Sequence, residues 1–217
     1  MTLKCNINHT VLPRKSIENL RVTEHNGVIR HKEINLMIGT VLSKMITYLG
    51  SDTKRINHAM KVYSFSCALW EEEAKDKGLT RSDERKETLL LAAILHDIGI
   101  HEAERKYDSN DGKYQELEGP SVAEEILEEC EADPRLSARV CYLVGHHHSY
   151  HLIDDLDFQI LVEAEELVNL EEDYSDTQSI LAARQITMKT AGAKKILDSY
   201  LLGEPSGADA PLCCASR

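Results

Sequence analysis

The stretch Leu89–Gly99, which reads LLLAAILHDIG, decides how the rest of the chain is interpreted. Every residue from Leu89 to Leu95 is apolar, which is typical of a helix buried on all sides. His96 and Asp97 follow directly, and Gly99 is of the type that commonly ends a helix. Burying an imidazole and a carboxylate without partners costs on the order of several kcal/mol. We therefore expect these two side chains to share a partner, such as a metal ion, in a buried place.

Apolar residues recur every three or four positions on both sides of this stretch, which predicts further helices. One is expected over residues 34–49, ended near Gly50, and a second from about residue 52 to 74 with two apolar faces. Pro120 is expected to begin another helix. The Asp-Pro step at 133–134 has the form of a helix start, and its helix should run through Val144.

The remaining segments also favour helices rather than strands. Residues 100–118 are polar and contain a cluster of turn residues, so we expect a long loop there. Residues 156–170 are long enough for a helix that is apolar around nearly its whole circumference. A last helical stretch is expected after Asp176 or Thr177, either of which can cap it, with an interruption near Gly192. No alternating pattern argues for a sheet, so the predicted fold class is all-α.

The chain of 217 residues fits a single-domain helical bundle. We predict an irregular N-terminal segment over residues 1–33, the helical domain over residues 34–202 and a flexible C-terminal tail over residues 203–217. Neither an internal repeat nor a linker rich in proline and serine divides the chain.

Composition limits the partners that the protein can have. With 25 Lys and Arg against 37 Asp and Glu, the net charge is −12, so the chain has no field to attract a nucleic-acid backbone. No apolar run approaches the roughly 18–20 residues of a membrane span. The first residues also lack the apolar region of a secretory signal. We expect a cytoplasmic protein that binds neither duplex nucleic acid nor membrane.

Further histidines and acids occur inside or directly after the other predicted helices. They are His58, the triplet at 146–148, and the pair Glu163 and Glu165. Imidazole nitrogens and carboxylate oxygens are the ligands that hold divalent metal ions of borderline and hard character. A single such residue is more often structural, because matches of one residue mislead easily. Several of them, in order along a helical chain, favour a metal site.

This order resembles the HD-domain superfamily of metal-dependent phosphohydrolases. The matching features are Arg55-x-x-His58, the step Leu95-His96-Asp97-Ile98-Gly99, the region of His146-His147, and an acid on a later helix. The resemblance covers roughly residues 34–170, and a His-Asp step at the end of an apolar helix is a moderately specific motif. It implies an all-α bundle of the HD-domain type.

The resemblance implies that His58, His96, Asp97 and a late acid hold a first metal ion. At the late acid this chain departs from the family, which usually has aspartate there. Alignment with the family favours Glu165, whose side chain is one methylene longer. The helical pattern alone does not choose between Glu165 and Glu163, because each shares a face with apolar residues.

Some members of the family bind a second metal ion through a histidine near a Gly-Pro helix start and through a His-His pair. The resemblance therefore also suggests a second ion here. Here Glu118 precedes Gly119 and Pro120, and its carboxylate could replace the imidazole. His146 and His147 follow an apolar helix at spacings that turn at least one of them inward. A carboxylate before a helix N-terminus is also favourable without any metal, so both one-ion and two-ion sites stay open.

The residues that would bind a substrate phosphate also depart from the family. Many dinuclear relatives carry a lysine after the His-Asp-x-Gly step, where this chain has Ile100. Arg55, Lys61, Lys106 and Lys113 could supply the cation instead, although each is of a type that is more often a solvated surface charge. The Gly-Tyr-Pro signature of members that act on cyclic dinucleotides is missing, which makes that substrate class less favoured.

The function that the resemblance implies is hydrolysis of a phosphate ester or anhydride of a small molecule, with a nucleotide favoured. A divalent ion lowers the pKa of bound water from about 15.7 to about 7 and neutralises phosphate oxygens. Asp97 and His96 are assigned the catalytic role, Asp97 bridging metal and orienting water. Iron, manganese, cobalt and zinc all suit imidazole and carboxylate ligands.

Two other hypotheses are kept. A catalytically degenerate HD domain would bind metal or nucleotide as a sensor, and the departures at Glu165, Glu118 and Ile100 favour it. A helical interaction protein with structural histidines would bind no metal. A homodimer through the first helix and residues 1–33 is also left open.

Overall fold

Nine α-helices and one 3-10 helix, with no strand, form the residues that this computed structural model describes, 36–79 and 84–203. The helices are 36–49 (α1), Thr53–Lys77 (α2), Glu84–Leu95 (α3), Ile100–Tyr107 (α4), Gly112–Glu129 (α5), Pro134–Val144 (α6), Leu156–Glu172 (α7), Thr177–Ile186 (α8) and Ala191–Tyr200 (α9), with the 3-10 helix at Tyr150–Leu152. The predicted all-α fold class is confirmed.

Local sequence signals set several helix ends where they were predicted. The Asp133 side chain accepts hydrogen bonds from two backbone N–H groups at the start of α6, and Pro134 is its first helical residue. Asp176, not Thr177, caps α8 in the same way. Gly50 follows α1 with a φ of 62°, a left-handed conformation that glycine adopts without strain.

The prediction of a loop over residues 100–118 is wrong. α4 occupies most of its first half, and α5 begins at Gly112, so that Pro120 lies inside α5 rather than at its start. α4 has about two turns and buries only Ile100 and Ala103. Its sequence is therefore mostly polar and lacks the apolar repeat from which a helix is predicted. The missing N–H of Pro120 removes one bond of the helix ladder without ending the helix.

The core is organised around α3. The side chains from Thr88 to Leu95 are all buried, because α2, α6 and α7 each pack against this helix. α7 is buried to a similar extent, since α2, α3, α8 and α9 surround it. α4 lies on α5, and α5 on α6. The central position of α3 places its C-terminal end, and hence the His-Asp step, among the neighbouring helices.

The domain division stays a prediction. The predicted N-terminal segment 1–33 and residues 204–217 of the predicted tail lie outside the described residues. The described residues from Met37 onwards make one compact unit. None of the helices in the described ranges is both long enough and apolar enough to cross a membrane.

The turn between α3 and α4 packs directly on the backbone of α5. A Cβ atom at Gly99 would lie 2.4 Å from the backbone N of Gly119 and 2.7 Å from the carbonyl O of Gln115. Real Cβ atoms do not approach backbone atoms so closely, so a side chain at position 99 would push the His-Asp turn away from α5.

We predict that Gly99→Ala destabilises the fold by about 1–3 kcal/mol, because the added methyl overpacks this contact. Gly39→Ala is the matched control. Gly39 lies on the exposed face of α1 with no atom within 4 Å of an added Cβ, and this change should stabilise by about 0.4–1 kcal/mol. Urea unfolding measures both. Equal stability of Gly99→Ala and the native protein would contradict the close approach.

Candidate metal centre

Four parts of the fold bring histidines and acids to one place. His58 comes from the first half of α2, and the buried turn after α3 supplies His96 and Asp97. The turn after α6 supplies His147 and His148, and α7 supplies Glu165. Because α2, α6 and α7 all pack on α3, residues far apart in the sequence meet at its end.

Asp97 is the centre of this cluster. Its Oδ2 atom lies 3.8 Å from Nε2 of His58 and 3.6 Å from Nε2 of His96. Its other oxygen, Oδ1, lies 3.6 Å from Nε2 of His147. These separations are longer than hydrogen bonds, whereas they suit atoms that share an ion between them. Each carboxylate oxygen of Asp97 therefore faces imidazole nitrogen.

Two sets of side chains could each hold an ion, and Asp97 belongs to both. Ligand atoms of His58, His96 and Asp97 all lie within 4.8 Å of one another, and so do those of Asp97, His147 and His148. A carboxylate that bridges two sets is a ligand arrangement found in sites with two metal ions.

The buried imidazoles have a fixed orientation with one nitrogen unused. Nδ1 of His96 donates to the carbonyl of Ala93 at 2.9 Å, and Nδ1 of His147 donates to that of Val144 at 2.8 Å. A carbonyl only accepts, so Nδ1 of each ring carries a proton, and Nε2 is the nitrogen left for a metal ion. Both Nε2 atoms are buried without a hydrogen-bond partner.

One carboxylate oxygen of Glu165, Oε2, is also buried without a hydrogen-bond partner. Leaving a buried polar atom unpaired costs about 1–3 kcal/mol. Unpaired imidazole nitrogens beside carboxylates are what a metal ion requires, so the residues present fit a divalent metal.

His58 is oriented by an acid that the sequence analysis did not identify. Its Nδ1 lies 3.0 Å from Oε2 of Glu172, at the end of α7, which leaves Nε2 facing Asp97. Lys61 holds this acid in turn, at 3.1 Å, and also bonds Glu171 at 2.5 Å. A carboxylate behind the imidazole fixes the tautomer and raises the basicity of a ligating histidine.

The ionisable side chains of the cluster change one another's pKa values. Burial lowers the pKa of His96 to about 3, which keeps this imidazole neutral. Burial alone would raise the pKa of Asp97, but the imidazoles of His96, His147 and His58 outweigh it and lower the pKa. Burial likewise opposes the charged form of His147, yet Glu165 and Asp97 raise its pKa to about 9. An ion would have to displace that proton to bind His147.

The two candidates for the late acid have different surroundings. Glu163 accepts hydrogen bonds from the backbone N–H groups of Lys189 and Thr190, at 2.6 and 2.8 Å, and from the Thr190 hydroxyl at 2.7 Å. It therefore ties α7 to the turn before α9. Burial raises the pKa of Glu165 to about 7, and it lies 3.8 Å from Nδ1 of His148. The geometry thus places Glu165 beside the cluster and Glu163 in a structural role.

Two other predicted ligands have partners of their own. Glu118 accepts hydrogen bonds from Lys106 and from the Tyr107 hydroxyl. His146 donates through Nδ1 to the carbonyl of Tyr142 at 2.7 Å and stacks on that ring. Neither residue belongs to the two sets around Asp97. His148 stands in the second set instead.

His148 could have been recognised from the sequence as the third member of the histidine triplet. Its ring packs against Gly112 so closely that a Cβ there would lie 2.5 Å from its Cδ2 atom. Glu172 could have been recognised because it lies seven residues after Glu165, on the same face of α7. Both signals are weak without the contacts that the fold supplies.

The predicted phosphate-binding cations are paired with acids. Arg55 bonds Asp52 at 2.6 Å and Glu104 at 2.5 Å. Lys106 bonds Glu118, as described above. Lys113 is exposed, with its ammonium 3.7 Å from Oδ2 of Asp111 and 4.6 Å from the centre of the Tyr114 ring.

A cavity of about 360 Å³ opens onto the cluster. His58 and Asp97 form part of its wall, and further acids line it. The lining residues are Asp52, Lys54, Arg55, His58, Asp97, Ile100, Asn110, Asn169, Glu172 and Asp173. Its excess of carboxylates favours a cation.

Comparison with known proteins identifies one family. The sequence model of the HD domain matches residues 55–189, which is more than half of the chain and includes every member of the cluster. A search of curated proteins and a search of solved structures gave no match.

We predict that Glu163→Gln lowers the stability of the fold, whereas Glu165→Gln lowers the metal content. Glu163→Gln places an amide among N–H and O–H donors, so it should destabilise the fold by about 1–3 kcal/mol and leave metal content unchanged. Glu165→Gln should lower metal content with little loss of stability. Thermal unfolding and elemental analysis of the two variants test this assignment, and the reverse pattern would exclude it.

We also predict that Glu172→Gln weakens Mn²⁺ binding by about 10–100-fold, the usual effect of removing an acid behind a ligating histidine. Glu171→Gln is the matched control, because Glu171 bonds Lys61 but not His58. Equilibrium dialysis gives both affinities. Equal affinities of the two variants would show that the Glu172–His58 contact does not support the ligand.

Proposed function

The chain belongs to the HD-domain family, and on this premise we propose that it is a metal-dependent phosphohydrolase. The observation that carries the proposal is the pair of buried, unpartnered Nε2 atoms on His96 and His147, both aimed at Asp97. We propose as substrate a small phosphate ester or anhydride, with a nucleotide favoured.

The residues that would hold metal are His58, His96 and Asp97 for one ion, and Asp97, His147 and His148 for another. Glu165 lies beside them as an additional acid. Iron, manganese, cobalt and zinc all suit this mixture of imidazole and carboxylate. When bound, such an ion supplies a Lewis acid and makes hydroxide available from water near neutral pH.

The protein residues contribute orientation. The carbonyls of Ala93 and Val144 hold the rings of His96 and His147, and Glu172 holds His58, so the ligand atoms are in place before anything binds. Little reorganisation is then needed during the reaction, which is the main way a preformed polar site lowers a barrier.

Asp97 has the catalytic role in this proposal. It is the only side chain common to both sets of ligands among the described residues, and about a fifth of its surface is exposed (19%). The cavity opens at this side chain. Its carboxylate can therefore accept a hydrogen bond from an attacking water and align that water with a phosphorus atom.

A sensor that binds metal or nucleotide without turnover is the second candidate. The specific observation in its favour is the pairing of Arg55, Lys106 and Lys113 with neighbouring acids or an aromatic ring. None of these three cations is free to hold a phosphate as placed. The cytoplasmic location and a homodimer stay predictions from the sequence.

Phosphate release tests the proposal. The Mn²⁺-loaded native protein is expected to release phosphate from at least one member of a panel of nucleotides, dinucleotides and an aryl phosphate. Asp97→Ala should abolish turnover, because removing a shared ligand disturbs both ion positions. His151→Ala is the matched histidine control, since His151 is exposed and outside both sets.

Each outcome decides between the candidates. Turnover that survives Asp97→Ala would overturn the proposed mechanism. Stoichiometric metal without turnover on the whole panel would favour the sensor. Absence of bound metal in the native protein would favour structural histidines.

A further inference from the structure

A second and larger cavity adjoins the first. It has a volume of about 620 Å³, within the range of roughly 300–1,000 Å³ that small-molecule sites occupy. Lys54 and Glu172 line both cavities, so the two are neighbours along α2 and the end of α7. The other lining residues all come from α2, and they are Asn57, Met60, Lys61, Ser64, Phe65 and Ala68.

The wall of the second cavity is more apolar than that of the first. Met60, Phe65 and Ala68 supply it with a thioether, an aromatic ring and a methyl group. The Ser64 hydroxyl already donates to the carbonyl of Met60 at 2.8 Å, so its hydrogen is not offered to a ligand. Phe65 is held by the ring of Tyr200, with the ring centres 5.2 Å apart. Such a surface suits an apolar or aromatic group.

Lys54 stands at the boundary between the two cavities. It precedes His58 by four residues on α2, so their Cβ atoms lie about 5–6 Å apart on one face. Arg55, the other cation in the wall of the first cavity, is occupied by Asp52 and Glu104. In the described parts of the chain Lys54 has no hydrogen bond or ion pair. Its charge is therefore available to an anion next to His58.

We propose that the two cavities form one substrate site for phosphate esters with a bulky aromatic organic group. The phosphate lies in the first cavity beside the metal ligands, where Lys54 supplies the cation that Ile100 does not. The aromatic group lies along α2 against Met60, Phe65 and Ala68. This inference rests on the proposed function for the position of the phosphate, whereas the second cavity stands on its own lining.

The size of the second cavity makes the proposal specific. A small ester such as glycerol phosphate would leave this surface unused. A bicyclic aromatic group would cover it and remove that apolar area from water, which favours binding. Ala68 is exposed and lies in the wall, so a large side chain there fills the cavity without entering the core.

Binding of two non-hydrolysable phosphonates tests the site directly. Naphthylmethylphosphonate carries the bulky group and methylphosphonate does not. Calorimetry on the Mn²⁺-loaded native protein is expected to show tighter binding of the naphthyl compound by at least about tenfold, since a well-filled pocket discriminates by roughly 10–200-fold for much smaller groups. Ala68→Trp should remove this preference and leave methylphosphonate affinity unchanged.

The role of Lys54 is tested in the same assay. Lys54→Met should weaken both phosphonates by about tenfold or more, because it removes a charge next to the phosphonate group. Lys189→Met is the matched control, since Lys189 is an exposed lysine in the turn before α9 that lines neither cavity. It should change neither affinity.

The outcomes separate this inference from the proposed function. Equal affinity for the two phosphonates, or a naphthyl preference that survives Ala68→Trp, overturns the aromatic subsite even if phosphate esters are hydrolysed. If Lys54→Met binds both phosphonates with the native affinity, the proposed role of Lys54 is wrong. The predicted pattern of affinities, with no turnover of naphthyl phosphate or of any member of the phosphate panel, supports the site and contradicts the phosphohydrolase proposal instead.

Discussion

The burial of imidazole nitrogens around one carboxylate is the constraint on which the rest of the structure depends. His96 and His147 are fully buried, and each donates its Nδ1–H to a backbone carbonyl of the helix that precedes it. Their remaining nitrogens face Asp97 without a hydrogen bond. A fold of marginal stability retains such unpaired groups only when something else compensates for them. Coordination of a metal ion would supply that compensation and would give the cluster a chemical use.

The packing of the helices serves this cluster. The second part of α3, from Thr88 to Leu95, is buried on all sides, because three helices cover it and bring their own histidines and acids to its end. The turn that carries His96 and Asp97 is set by the contact of Gly99 with the backbone of α5, and Gly112 leaves room for the ring of His148. Small residues at these points let backbone and ring approach closely. Glu163 stabilises the other side of α7, where it holds the turn before α9.

Much of the fold could be predicted because its signals are local. Helical periodicity, the Asp-Pro start at 133–134 and the all-apolar run before His96 each act within a few residues. α4 was not predicted, because it buries only two side chains and so shows no apolar repeat. His58, His96 and Asp97 could be named from the sequence by resemblance. The position of His148, rather than His146, beside Asp97 depends on contacts between distant segments, which periodicity does not encode. The same is true of the separate partners of Glu118 and of the contact between Glu172 and His58.

X-ray absorption at the manganese edge of the Mn²⁺-loaded native protein tests the central claim most directly. The multiple-scattering pattern of imidazole reports histidine ligands without any assumption about a substrate. The account predicts imidazole from more than one histidine together with carboxylate oxygen, and loss of the imidazole pattern in Asp97→Ala. A first shell made only of oxygen ligands in the native protein would contradict it, because the buried nitrogens of His96 and His147 would then have no role in metal binding.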